Sequence, residues 1–331
     1  MKRYLKTLFL FAFPIIVYII IALSFDVFKI YKDYDSYYDT TNAVTLNRTY
    51  VSTKTYLKHN DSLHYNAFIF GSSRSQAYKT PKWKHYLPND AVPFHYDAHS
   101  EDLYGIYTKL RFLDEHHGNI KYALIIIDRQ VLAGTEKRDE HILINPIEFG
   151  DVSPSEFYSS YIRANLNPRF MLSYVDFSIF GNYRSYMSSY INKDKYSDTF
   201  TPISNDSYYG LAKEIKEDSL NYYKTLIAKN VFNRAMTTRV RLKKTEKEIE
   251  LLHQISAILK KQQTSYKIVI SPLFNQIPME PEQLKLLYSV FGKEKVFNFS
   301  GTNTLTTPIS NYFENSHYKP FVANVILDSI Y

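Results

Sequence analysis

The chain is 331 residues long and basic, with 40 lysines and arginines against 33 aspartates and glutamates and a formal net charge of +7. Because 45% of its residues are hydrophobic and only 22% are charged, the composition excludes a disordered or coiled-coil protein. It contains no cysteine, which excludes a disulfide scaffold, thiolate metal sites and a cysteine nucleophile. The positive charge is modest and dispersed, so we expect no nucleic-acid partner.

The first feature along the chain is an apolar run near the N-terminus. Residues 7–25 carry no charge, and their number is close to the ~20 that a helix needs to cross the hydrocarbon core of a bilayer. Lys2, Arg3 and Lys6 precede the run, so the positive-inside rule places the N-terminus in the cytoplasm. A cleaved signal peptide is the alternative, but the run is long and lacks an A-x-A-like site at its end. We therefore predict an uncleaved transmembrane anchor.

Beyond this run, predicted strands alternate with predicted helices. Short apolar runs bounded by turn residues indicate buried strands, and apolar residues at helical spacing indicate amphipathic helices. The strands are predicted at 66–70, 91–96, 122–127, 267–271 and 295–299, and the helices at about 101–116, 245–262 and 280–291 and from Pro320 onward. This alternation predicts an α/β fold with a parallel sheet covered by helices on both faces.

One long segment, from about residue 140 to 243, breaks the alternation. It is rich in tyrosine, serine and asparagine, and we predict that it is an insertion that caps the sheet. The predicted domain plan is a cytoplasmic tip and anchor over 1–25, a polar stalk over 26–60, and one domain over 61–331 that carries the insertion.

Two short motifs follow predicted strands, where parallel sheets bind their ligands. Gly71-Ser72-Ser73-Arg74-Ser75 comes directly after the first strand, and a serine on such a turn is exposed beside backbone N–H groups. Glu314-Asn315-Ser316-His317 lies between the last strand and the C-terminal helix. An acid three residues before a histidine can bond one ring nitrogen and leave the other for a hydroxyl group. Together the motifs predict a serine nucleophile with its base.

In this order and at these places, the two motifs resemble those of the SGNH (GDSL-type) hydrolase superfamily. With the predicted anchor, the chain is similar to the membrane-anchored branch, which includes the D-alanyl transfer protein of teichoic acids and the acetylation proteins of exopolysaccharides. The resemblance implies a flavodoxin-like three-layer α/β/α sandwich and no cofactor. It implies that Ser73 is the nucleophile, His317 its general base and Glu314 the acid that orients the base. Ser72 and Glu314 each stand where the superfamily usually has aspartate.

The resemblance also implies oxyanion donors on later loops, a glycine and an asparagine, which have no clear counterpart in this chain. By position they fall near 97–100 and 128–130. The candidates for oxyanion or substrate contacts are therefore Gly71, Arg74, Asp97, Asp128 and Gln130. Ionised carboxylates are poor oxyanion donors, because they have no proton to donate.

A metal site is a weaker alternative for one of these loops. His95, Asp97 and His99 alternate as they would on a strand, but no third histidine stands at ligand spacing. We predict that they are surface residues or polar residues behind the site, and that the protein has no metal.

The activity implied by the resemblance is acyl transfer or acyl-ester hydrolysis on a cell-envelope polysaccharide. The protein would lie in the bacterial cytoplasmic membrane with its catalytic domain outside. Its partners would be the polysaccharide, an acyl donor and, as a further candidate, a membrane-bound acyltransferase. The alternative is a non-catalytic module of the same fold that binds glycan or such an acyltransferase. Hydrogen-bond reach between Ser73 and His317 distinguishes the two.

Overall fold

The computed structural model describes residues 2–37, 43–188, 190–191, 199–234 and 244–331. Within them, strands β1 to β7 lie at Ala67–Gly71, Pro93–Asp97, Tyr122–Ile127, Thr199–Phe200, Ser207–Tyr208, Ser265–Ile270 and Val296–Asn298. Helices α1 to α12 lie at Lys2–Phe25, Arg48–Leu63, Thr80–Lys84, Leu103–Glu115, Arg129–Ala133, Pro154–Asn165, Pro168–Phe180, Leu211–Glu217, Ser219–Ala228, Glu246–Lys261, Pro281–Phe291 and Pro320–Ile330.

The central sheet has the strand order β2-β1-β3-β6-β7, and every neighbouring pair in it is parallel. This confirms the predicted α/β class with a parallel sheet. The five strands and the four helices predicted around them differ from the observed bounds by at most two residues at either end. Helix α10 shows why the agreement is close. A threonine directly before apolar residues at helical spacing predicts a helix start, and Thr245 does cap this helix by accepting a hydrogen bond from the Glu248 N–H.

Helices cover both faces of the sheet, because successive side chains of a strand point to opposite sides. Phe68 and Phe70 of β1 pack with apolar residues of α2, α4, α10 and α11. Ala67 and Ile69 of the same strand pack on the other face with α12 and with Trp83 of α3. The two cores give the three layers expected for this class.

Residues 26–60, predicted to form a stalk, are instead packed against the domain where the structure describes them. The Asp26 carboxylate accepts hydrogen bonds from the backbone N–H groups of Ile30, Tyr31 and Lys32, which fixes the turn after α1. Phe28 is buried in an aromatic cluster, and the first half of α2 is buried as well. The polar composition that indicated a stalk is compatible with burial because buried polar groups such as the Asp26 carboxylate are hydrogen-bonded.

The predicted insertion contributes no strand to the central sheet in the part that the structure describes; its residues 189, 192–198 and 235–243 lie outside that part. It holds α6 to α9 and a two-stranded antiparallel pair, β4 and β5. The pair reaches β2, where the Asn205 side chain donates to the His95 carbonyl group. The insertion therefore packs against the edge of the sheet formed by β2.

Helix α1 contains the predicted anchor and is 24 residues long. Its described side chains are those of residues 4–20, most of which are exposed. Within the residues that the structure describes, no helix is both long enough and apolar enough to cross a membrane.

Candidate active site

Strand β1 ends at a glycine that the local geometry requires. Gly71 has a φ of +148°, and a Cβ atom there would lie 2.8 Å from the Ile126 carbonyl oxygen of the neighbouring strand. The chain then turns, with the Ser72 hydroxyl accepting a 3.4 Å hydrogen bond from the Arg74 N–H. Ser73 opens a short 3-10 turn and is half-buried. The role that the structure shows for Gly71, a predicted substrate or oxyanion contact, is therefore to shape this turn.

Ser73 of this turn contacts His317 of the second motif, although the two residues are 244 positions apart in the sequence. Ser73 Oγ lies 2.8 Å from Nε2 of His317, and Nδ1 of the same ring is hydrogen-bonded to Oε1 of Glu314. With the Nδ1 proton directed at the carboxylate, Nε2 is left to accept the serine proton. The three side chains therefore form a continuous hydrogen-bonded chain.

The carboxylate of Glu314 is held by both of its oxygens. Oε2 accepts a 2.8 Å hydrogen bond from the Ser316 N–H, while Oε1 faces the His317 ring. Burial opposes ionisation of this group, but the hydrogen bond and charge of His317 outweigh burial and hold the pKa of Glu314 below its ordinary value. The carboxylate is therefore ionised at neutral pH, as a partner of an imidazolium must be.

Arg74 joins three loops at the carboxyl ends of the strands. Its guanidinium donates to Asp128 Oδ2 at 2.6 Å, to Gln130 Oε1 at 2.8 Å and to the Ser316 carbonyl oxygen at 3.3 Å. Asp128 also caps α5 by accepting from the Gln130 and Val131 N–H groups. Asp128 and Gln130, predicted near the oxyanion position, are thus acceptors for Arg74, and all three fix the loops around the serine.

Asp97, another predicted contact residue, is engaged by Arg48 and Gln76. It is fully buried, receives Arg48 Nε and Nη2 at 2.8–3.2 Å and accepts from Gln76 at 2.7 Å. Burial acts to raise the pKa of Asp97, but the Arg48 charge reverses that effect and leaves the pKa well below its ordinary range. This carboxylate stabilises the packing of α2 on the sheet and cannot serve as an oxyanion donor.

His95 is also fully buried, so of the two predicted places the surface is wrong for both His95 and Asp97, and the alternative of polar residues behind the site agrees with their burial. Its ring bridges the Ser75 hydroxyl at 3.0 Å and Asp206 Oδ1 at 3.4 Å. Among the side chains that the structure describes, no group of three or more His, Cys, Asp or Glu residues is arranged to hold a metal ion. The histidine instead ties the serine turn to the insertion.

Sequence reasoning missed His99 as a site residue and grouped it with the metal alternative. It is partly buried and lies two residues beyond the end of β2. Burial, with the neighbouring Arg48 charge, lowers the pKa of His99 to about 4. The ring is therefore neutral at pH 7. Its position just after a strand end was the available signal.

Tyr209 lies in the insertion and was also missed. Its hydroxyl donates to the Ser73 carbonyl oxygen at 2.9 Å, and its ring centroid lies 5.2 Å from that of His317. One side chain thus contacts both the nucleophile and the base. No local pattern could single it out in a segment so rich in tyrosine.

A pocket opens beside the nucleophile. It is lined by Ser72, Ser73, Arg74, Ser100, Glu101, Gln130 and Val131. Of these described lining residues, Val131 alone is apolar, so the pocket is suited to a polar ligand.

No protein-family model matches the chain, and no curated protein matches it. The proposal on its activity therefore depends on the arrangement of its own side chains.

Proposed function

We propose that this protein is an SGNH-like serine enzyme that transfers or hydrolyses an acyl group on a cell-envelope polysaccharide. The observation that carries the proposal is the hydrogen-bonded chain from Ser73 through His317 to Glu314, at the carboxyl edge of a parallel sheet. A serine hydroxyl is a poor nucleophile at neutral pH unless a base can take its proton. These hydrogen bonds supply that base, His317, and an anion, Glu314, that stabilises the base once it is charged.

The proposed reaction has two steps. In the first, Ser73 Oγ attacks the acyl carbonyl carbon while its proton passes to Nε2 of His317, and the donor alcohol leaves with that proton. An ester bond now joins the acyl group to Oγ. In the second, His317 takes a proton from a sugar hydroxyl or water, which attacks the ester and releases Oγ, again as a hydroxyl group. Glu314 stabilises the imidazolium in both steps.

The sheet order supports the SGNH-like assignment. Counted over the central sheet alone, the strands follow the order 2-1-3-4-5 of flavodoxin-like folds, whose ligands bind where the order reverses, beside the first and third strands. Ser73 follows β1 and Asp128 follows β3, so the proposed nucleophile lies at that point. The Glu-x-x-His motif reaches the same point from the loop before α12.

Two neutral N–H groups are candidate donors for the oxyanion in this proposal. The Ser73 N–H begins the 3-10 turn, a position that has no acceptor within the turn. His99, two residues beyond the end of β2, is the second candidate, because its pKa of about 4 leaves the ring neutral at pH 7. A neutral N–H donor that faces developing negative charge is the usual device for stabilising a tetrahedral intermediate.

The lining of the pocket supports a short acyl group and a polar acceptor. Arg74, Glu101 and Gln130 would donate to or accept from sugar hydroxyl groups, whereas Val131 offers little surface for a long acyl chain. Long-chain lipid esters fit this lining poorly.

We further propose that α1 anchors the protein in the bacterial cytoplasmic membrane with the domain outside. The support is the charge-free run 7–25, preceded by Lys2, Arg3 and Lys6. The described apolar side chains of α1, such as Phe11 at 76% exposure, would then face lipid. A reporter enzyme fused after Tyr331 should be active only outside the cytoplasm, and a cytoplasmic signal would contradict this location.

A non-catalytic module is the second candidate. The observation in its favour is that Asp128 and Gln130, at the place of a superfamily oxyanion donor, are occupied as acceptors for Arg74. A module that only binds glycan or a membrane acyltransferase would not need the serine to react.

A serine-directed fluorophosphonate separates the two candidates. The full-length protein should be labelled, Ser73→Ala should lose the label, and Ser72→Ala should keep it, because the Ser72 hydroxyl only accepts from the Arg74 N–H. Labelling that survives Ser73→Ala would place the nucleophile elsewhere. A wild-type protein that is never labelled would favour the binding module.

A further inference from the structure

Helix α7, in the insertion, is apolar on two opposite faces. One face packs inward through Phe170, Tyr174 and Phe177. The other exposes Leu172, Val175 and Ile179, at the i, i+3, i+7 spacing of a single stripe, and Leu172 and Ile179 are 61% and 67% exposed. Phe180, the last residue of the helix, is exposed as well. A contiguous exposed apolar surface of this kind marks a contact that the isolated chain does not show.

The inner face of α7 is fastened to the turn that follows α1. Phe28, three residues beyond the end of α1, stacks on Phe170 with ring centroids 5.3 Å apart and an interplanar angle of 23°. The turn itself is rigid, because the Asp26 carboxylate accepts three backbone N–H groups. The chain therefore leaves α1 and meets α7 at once, with no free linker between them.

The contact with Phe28 places α7 beside the end of α1, because Phe28 follows the last residue of α1 by only three positions. Interfacial helices bury their apolar face roughly 5–10 Å into the boundary between headgroups and acyl chains. A helix fastened beside the point where a transmembrane helix leaves the bilayer is positioned to reach that boundary.

We propose that α7 lies in the outer interface of the bilayer, with Leu172, Val175 and Ile179 in lipid, so that the domain is held rigidly on the membrane surface. This inference rests on the proposed membrane anchoring by α1. The residues that flank the stripe suit the headgroup region: Arg169 is exposed at the start of the helix and Tyr186 is exposed just beyond its end. Lipid is favoured over a protein partner because α7 is fastened, through Phe28, to the turn at which the proposed anchor α1 ends.

The absence of cysteine makes the test direct, because single cysteines can be introduced without removing others. The full chain would be reconstituted in phosphatidylcholine–phosphatidylglycerol vesicles with a fluorophore on Leu172→Cys or Ile179→Cys. The matched control is Leu220→Cys in α9, an apolar position that is 85% exposed and does not belong to the stripe. Quenching would be measured with doxyl-labelled lipid and with aqueous iodide.

We expect doxyl lipid to quench the two α7 sites several-fold more strongly than the Leu220 site, and iodide to show the opposite order. Iodide quenching at Leu172 and Ile179 equal to that at Leu220 would overturn the inference. Protection from both quenchers would overturn it too, because the stripe would then be covered by protein, such as a second copy of the chain.

Failure of the proposed chemistry would give a different result from failure of the proposed lipid contact. Fluorophosphonate labelling of Ser73 in the same vesicles reports on the nucleophile alone, and its loss would leave the lipid contact of α7 standing. Failure of the chain to stay with the vesicles at alkaline pH would overturn the anchor and, with it, the placement of α7.

Discussion

Glu314 fits the site through a feature that aspartate would reproduce only in part. Its two carboxylate oxygens are divided between the His317 ring and the Ser316 N–H, so the side chain is held at both ends of the carboxylate. The turn from 314 to 317 is therefore organised by the same group that orients the base. A shorter side chain must choose between these two contacts or shift the loop.

Replacing Glu314 with glutamine should lower the rate of ester hydrolysis by on the order of 10²–10⁴, because the charge that stabilises the imidazolium is lost while the shape is kept. Glu314→Asp should be much milder, since the charge is retained. Steady-state kinetics with a small activated ester would measure both, with His317→Ala as the reference for loss of the base. An unchanged rate in Glu314→Gln, with activity abolished in His317→Ala, would reduce the site to a Ser–His dyad.

His99 makes the stability of the fold depend on pH in a defined direction. Its pKa is about 4 in the folded protein against an ordinary value of 6.5, so below pH 6.5 the unfolded chain binds a proton that the folded chain resists. The free energy of unfolding should therefore fall as the pH drops from about 6.5 to 4, by at most about 3 kcal/mol from this group. Urea unfolding at pH 7.5 and pH 4.5 measures the loss.

The matched variant for this measurement is His99→Gln, which keeps a polar side chain but does not titrate. The difference in unfolding free energy between the two pH values should be smaller in the variant than in the wild type. An equal difference in both proteins would show that His99 is not the group responsible.

Helix α2 is an element that the sequence pattern did not predict, and it links three parts of the domain. Arg48, in its first turn, is buried against Asp97 of β2 and donates to the Asn205 carbonyl group of the insertion at 2.8 Å. One side chain thus joins a helix, the central sheet and the insertion. The segment before β1 is part of the folded core for this reason.

Replacing Arg48 with leucine should destabilise the protein by about 3–5 kcal/mol, because the Asp97 carboxylate is left buried without its partner. The control on the same helix is Lys58→Ala, whose pair with Asp35 is exposed to water and should change the unfolding free energy little. Denaturant unfolding would measure both. Equal, small effects would mean that α2 is not packed as described and that residues 26–60 behave as the stalk first expected.

The elements that could be predicted are those whose signals are local. Gly71 to Ser75 stands out because it directly follows a buried strand, and Glu314 and His317 because they share one short loop. Arg48, Tyr209 and Asp206 could not be predicted, because each acts on a residue more than 40 positions away in the sequence. The loop carboxylates were misjudged for a related reason: their arginine partners come from other elements, and only the fold brings them together.

The molecule as a whole is a three-layer domain whose insertion reaches both of its functional regions. At one side, Tyr209 of the insertion contacts Ser73 and His317. At the other, α7 is fastened to the turn beyond α1 through Phe28. If α7 lies on the bilayer, the serine is held at a fixed height above the membrane, where a donor delivered from the membrane could reach it.

The most direct test of the central claim is to detect the acyl-enzyme. The full-length protein would be mixed with p-nitrophenyl acetate, quenched in acid and analysed by peptide mass spectrometry. We predict one acetyl group on the peptide that contains Ser73, absent in Ser73→Ala and formed far more slowly in His317→Ala. No acetylated peptide, or the same modification in Ser73→Ala, would contradict the proposal that Ser73 is the nucleophile.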